Sequence, residues 1–183
     1  MTNKRIVENV VTCRLMEVMD IDAVAVLFIR RFQSSARLDE LSDDEVKRES
    51  TFEREQQLIK VRLDSSDKGV AVACLSGAVV GFILYTVIFA DGHYLLKLDY
   101  VARDGRLEGL GIASSLIRWL IEFVKSKFHE KPLQGAYLMV GLFNDAAITR
   151  YRRLGFQPRE RSGSDLRELS FGWMDLDLRQ AAA

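Results

Sequence analysis

Val101-Ala102-Arg103-Asp104-Gly105-Arg106-Leu107-Glu108-Gly109-Leu110-Gly111-Ile112-Ala113-Ser114 is the stretch whose reading decides the fold. It joins an apolar segment, Tyr94 to Val101, to a longer one in which Leu116, Ile117, Trp119, Leu120, Phe123 and Val124 recur at helical spacing. A strand therefore runs through a glycine-rich turn into a helix. Gly105, Gly109 and Gly111 let the backbone approach a ligand closely. The start of a helix adds unpaired N–H groups and the positive end of its dipole. Together these make an anion site, most often for phosphate. On these residues alone, a turn that uses glycine only for its shape stays open.

The chain of 183 residues carries 26 acidic and 26 basic side chains, so the total charge points to neither nucleic acid nor a membrane surface. Its length suits one domain over residues 1–183, with 1–8 and 179–183 as loose tails. Cys13 and Cys74 stand far apart in apolar surroundings and His93 and His129 are isolated, so no metal constellation or disulfide framework is expected. The first residues lack a signal-peptide core, and the apolar run from Gly77 to Ala90 suits a buried strand better than a membrane span. A cytoplasmic protein is the expectation.

Outward from the opening stretch, residues 9–18 suit a first strand, followed by a helix with Asp20 as N-cap and Val24, Leu27, Phe28 and Phe32 on one face. Residues 34–66 are rich in Asp and Glu. They suit a loop and then a surface helix packed through its second half, either a solvated face or an acidic rim for a cationic substrate. Ser76-Gly77 and Asp91-Gly92 are tight-turn pairs that link three antiparallel strands. Pro132 ends the long helix, and a buried strand follows over Ala136–Leu142. Asn144 caps a short helix that Gly155 stops, and two last strands are expected within Phe156–Arg161 and Leu169–Leu178. The expected fold class is α+β in an α/β/α layering: a mixed, mostly antiparallel sheet of six or seven strands with about four helices.

This order resembles the GNAT superfamily of N-acetyltransferases, and two sequence signatures sharpen the match. The family's acyl-CoA loop, Arg/Gln-x-x-Gly-x-Gly/Ala, is similar to Arg106-Leu107-Glu108-Gly109-Leu110-Gly111, with Val101 at the preceding strand end. Its second signature is matched by Asn144, Ala147, Tyr151, Gly155 and Phe156. The signatures span about residues 94–156. Two departures stand out: Arg103 where many members have Pro, and Leu95 where some members carry a Glu general base.

The resemblance implies acetyl-CoA as cosubstrate, with no metal, and an amine acceptor. It implies CoA contacts from Tyr100, Val101, Arg106, Leu107, Glu108, Gly109, Leu110, Gly111, Ile112, Ala113, Asn144, Ala147 and Tyr151. Tyr151 would protonate the departing thiolate. Asn144, Ala147 and Tyr151 share one helical face, which equally suits a cap, a packing residue and a core phenol. Asp99 is the candidate base, sharing strand parity with Lys97 and Leu95, or else a carboxylate satisfied by Lys97 or an arginine, with a Glu of the acidic segment or ordered water as the other acceptors left open. The acidic segment tilts the acceptor toward a cation, no nucleic acid or membrane partner is expected, and a homodimer stays open. An acyl-CoA-binding module without turnover is the alternative function. A Rossmann-type site is disfavoured, because Ser114 stands where its third glycine belongs and no βαβ unit leads in.

Overall fold

A computed structural model describes residues 10–36, 52–159 and 171–179. The tight-turn pairs act as expected. Ser76 and Gly77 (φ 51° and 83°) and Asp91 and Gly92 (φ 51° and 79°) both take positive φ, the backbone of the two-residue hairpin turn that matches strand twist. They connect β2 (Lys68–Leu75), β3 (Ala78–Ala90) and β4 (His93–Arg103) into an antiparallel meander. β1 (Val11–Leu15) lies outside β2. β5 (Leu133–Gly141) runs parallel to β4, and β7 (Phe171–Asp177) lies between β5 and the two-residue β6 (Gln157–Pro158). Among the described residues these form one seven-stranded sheet in the order β1-β2-β3-β4-β5-β7-β6, parallel only at β4/β5.

Helices cover both faces. On one, α3 (Ile112–Lys127) and α4 (Asp145–Arg153) close a core built on Ile83, Leu96, Leu116, Ile117, Leu120, Leu138 and Phe156. On the other, α1 (Ile21–Ala36) and α2 (Phe52–Leu63) pack Val24, Leu27 and Ile59 against Val72, Phe82 and Leu84. This is the layered, mostly antiparallel α+β fold expected from the sequence.

Several local expectations change. The first strand spans only Val11–Leu15, shorter than residues 9–18. Asp20 does not act as a free N-cap; its buried carboxylate turns back to the Glu17 N–H (2.8 Å) and to Arg14 (2.6 and 2.9 Å). The carboxylate thus takes part in a capping box on the Val18–Asp20 turn, with Arg14 as its charge partner. α2 does not pack evenly through its second half, since Ile59 is buried while Leu58 and Val61 are exposed, and Glu55 is buried in its first half. β4 runs past Val101 to Arg103. β6 spans Gln157–Pro158, and just beyond it the Arg159 N–H donates to the Trp173 carbonyl at 3.0 Å; positions 160–161 of the expected strand lie outside the described residues. The expectations for 1–9, 37–51, 160–170 and 180–183, the loose tails among them, lie outside the described residues.

Two irregularities position the site. Leu84 pairs with Tyr100 and Tyr85 with Leu98, so Asp99 is an extra, unopposed residue in β4: a β-bulge. The parallel pairing of β4 with β5 ends at Leu98 and Leu138, although both strands continue. Close contact also fixes the start of α3. A Cβ at Gly81 would lie 2.9 Å from Ile112 Cγ2 and 3.1 Å from the Ala102 carbonyl oxygen. Gly81→Ala should therefore destabilise the fold by about 1–3 kcal/mol, lowering the urea midpoint at unchanged m-value. An unaltered midpoint would contradict this packing.

Candidate active site

Where β4 and β5 part, a cleft of about 720 Å³ opens. Its β4 wall runs from Leu98 to Arg103 and continues into Asp104 and Gly105; its β5 wall runs from Leu138 to Gly141. Asn144, the cap of α4, and Ala147, Arg150 and Tyr151 within it face the cleft, and Leu27 and Arg30 of α1 close one side. Of the residues singled out in the sequence, Asp99, Tyr100, Val101, Glu108, Ala113, Asn144, Ala147 and Tyr151 come together here. Arg106, Leu107, Gly109, Leu110, Gly111 and Ile112 do not line this cleft. The Ile112 side chain is buried in the core against Gly81, so only its backbone is available toward the loop.

The loop leading into α3 is held by its own charges. The Asp104 carboxylate accepts the Arg106 N–H at 3.0 Å and is gripped by the Arg106 guanidinium at 2.6 Å. That guanidinium and the backbone N–H push the Asp104 carboxyl down to about 2. Arg103 donates to Glu108 at 2.7 Å and to the carbonyls of Asp104 and Gly105 at 3.1 and 3.3 Å. The arginine at the position where proline is common thus staples the loop, a role its spacing alone did not reveal. Gly109 and Gly111 have φ of 84° and 69°, which disfavour any side chain. The space a Cβ would enter at Gly105, Gly109 and Gly111 is open. Gly111 caps α3 with no side-chain hydrogen bond, leaving the first-turn amides for another acceptor.

Asp99 is firmly engaged. Burial pushes its carboxyl up, but hydrogen bonds from Thr86 (2.6 Å), Lys97 (2.9 Å) and Arg62 (3.0 Å) outweigh it and hold the group below the usual range. Of the two roles open to Asp99, the geometry favours the satisfied carboxylate. Arg62 also donates to the Tyr85 carbonyl at 3.0 Å, bracing the bulge from α2. Asn144 caps α4 by accepting the Ala147 N–H at 3.1 Å. Tyr151 is buried, its ring edge-on to Phe156 with centroids 5.8 Å apart. Arg30 and Arg150 line the cleft, and neither was singled out in the sequence. Leu27 and Arg30 stand three residues apart, so the helical face that buries one carries the other to the cleft.

A strand pair opened beside a glycine-led helix is the geometry of this cleft, and comparison with known proteins gives the fold a family. Residues 31–156 match the acetyltransferase (GNAT) family, and the chain belongs to that family. Solved structures share the fold. PaiA N-acetyltransferase from Thermoplasma acidophilum, in complex with coenzyme A, is 15% identical with a TM-score of 0.71 over 92% of this chain and 99% of that one. YncA from Salmonella typhimurium, described as a putative acetyltransferase with acetyl-CoA, is 20% identical with a TM-score of 0.68 over 96% and 98%. A SpeG spermidine N-acetyltransferase mutant from Vibrio cholerae is 16% identical with a TM-score of 0.66 over 91% and 93%. No curated protein matches this sequence. Among the described residues no helix is long and apolar enough to cross a membrane, and no cluster of three metal-ligating side chains occurs.

The depressed Asp104 carboxyl has a consequence for stability. Its folded pKa lies below its unfolded value of about 3.9, so the contribution is present above about pH 4 and lost as pH falls toward 2. Asp104→Asn should be less stable than the parent at neutral pH, with the gap closing as urea titrations are moved toward pH 2. A gap that stays constant with pH would contradict the pairing.

Proposed function

We propose that the protein is an N-acetyltransferase that moves an acetyl group from acetyl-CoA to a primary amine by direct attack in a ternary complex. The observation that carries this is the coincidence of the parted β4/β5 pair with the start of α3, which Gly111 leads without a side-chain cap. The residues fit acetyl-CoA. The amides from Gly109 to Ala113, at positive-φ glycines with open space before them, would hold the pyrophosphate. The side of β4 that faces β5 beyond Leu98, at Val101, would pair with the pantetheine amides as a short added strand. Asn144 and Ala147 supply a small, capped surface for the thioester arm.

Acetyl-CoA supplies an activated thioester carbonyl; the chain must present the amine and manage protons. The neutral amine forms the C–N bond as the C–S bond breaks. Tyr151 gives its proton to the leaving sulfur and regains one shed by the nitrogen through solvent. An alkylammonium has a pKa near ~10, so it must first lose a proton. Asp99, held as an anion by two cations, is a weak acceptor, and water in the cleft is the better route. The same engagement of Asp99 favours, as a second reading, an acyl-CoA-binding module without turnover.

Acetyl-CoA should raise the melting temperature, whereas NAD and ATP should not. Tyr151→Phe should lower kcat by at least ~100-fold while leaving acetyl-CoA affinity nearly unchanged. Binding of acetyl-CoA without thiol release in the presence of any amine would favour the second reading. A shift with NAD or ATP and none with acetyl-CoA would sink both.

A further inference from the structure

The sheet face opposite α3 and α4 is covered by α1 and α2 over β2, β3 and β4. Over β5 and β7 it presents an apolar patch. Met139 pairs across the strands with Trp173 and Gly141 with Phe171, while the Phe143 ring meets Phe171 edge-on at 6.3 Å. Met139, Phe143, Phe171 and Trp173 are 54%, 46%, 40% and 37% exposed. Isolated apolar side chains on a surface need no explanation, but a contiguous group of four beside a cleft does. Met139 and Phe143 also line the cleft, so the patch continues to the point where β4 and β5 part.

Among the described residues, the carboxylates of Asp99, Asp175 and Asp177 on the same face are each paired with a basic side chain. Lys97 and Arg62 neutralise Asp99. Arg159 grips Asp175 at 2.6 Å and lies 5.6 Å from both the Tyr137 and Trp173 ring centroids. Arg179 pairs with Asp177 at 2.6 Å. A polycation arriving here would have to displace a built-in arginine or lysine from each of these carboxylates. An aromatic ring would meet three aromatic side chains and a methionine, which receive it by edge and face contacts.

We infer that the acceptor is an arylalkylamine: its ring lies on Met139, Phe143, Phe171 and Trp173 while its primary amine enters the opening between β4 and β5. This rests on the acetyl-transfer reading and names the substrate class for it. A peptide with an aromatic first residue shares the ring but brings backbone amides that need polar partners, and the patch offers apolar side chains. The apolar body also confines the chain's selectivity to the acceptor, because Phe171 and Trp173 stand outside the cosubstrate cleft.

Thiol release at saturating acetyl-CoA, with 2-phenylethylamine, putrescine, spermidine and phenylalanylglycine as acceptors, tests the inference. 2-Phenylethylamine should have the highest kcat/KM, by about tenfold or more over spermidine. Trp173→Ala and Phe171→Ala should each raise KM for 2-phenylethylamine severalfold, with acetyl-CoA affinity by calorimetry unchanged. A higher kcat/KM for either polyamine or for the dipeptide overturns the inference, as does an unchanged KM in both variants. So does silence from the whole panel in a protein that binds acetyl-CoA. Failure of the parent protein to bind acetyl-CoA is a separate result, and defeats the acetyl-transfer reading itself.

Discussion

The separation of two neighbouring parallel strands is the constraint on which the rest of the structure depends. β4 and β5 pair through Leu98 and Leu138 and then part, although each continues in extended form. Backbone groups of a strand need partners, and two diverging edges leave a row of them facing a gap. The Asp99 bulge bends β4 at that point and adds local twist. A bulge costs ladder hydrogen bonds, and Arg62 offsets part of this by donating to both the Tyr85 carbonyl and Asp99. α2 therefore acts on the site from a distance, as a brace for the strand that carries it.

The second determinant is the start of α3. Gly81 brings Ile112 against β3, which sets where the helix begins relative to the opening. Arg103 and Asp104 then shape the intervening turn through short charge-assisted hydrogen bonds. Gly109 and Gly111 are required there by positive φ, and the space before them is open. In the proposed function an anionic pyrophosphate fills that space, so loop shape and ligand chemistry impose the same residue choice.

Much of this was legible in the sequence because it is local. The Ser76-Gly77 and Asp91-Gly92 turns, the glycine-led helix and the Asn144 cap each depend on residues within a few positions of one another. The two signatures then identified the family, which the match over residues 31–156 bears out. What stayed hidden is non-local. Arg62 reaches Asp99 across 37 positions, so no spacing rule could decide between a base and a satisfied carboxylate. The bulge follows from pairing register between β3 and β4, and the apolar patch from pairing between β5 and β7. Arg106, matched by pattern, has its guanidinium on Asp104, a pairing that the signature itself does not convey. The tilt toward a cationic acceptor came from the composition of residues 34–66, of which 37–51 lie outside the described residues, while Asp99, Asp175 and Asp177 are paired with basic partners that no spacing rule indicates.

The central claim is that acetyl-CoA lies across the parted strands with its pyrophosphate at the start of α3. The most direct measurement is a titration of ¹⁵N-labelled protein with acetyl-CoA, followed amide by amide. The account predicts the largest shifts at Gly109, Gly111, Ala113, Val101 and Asn144, saturating together with one affinity. Saturable binding whose shifts leave these amides in place would contradict it.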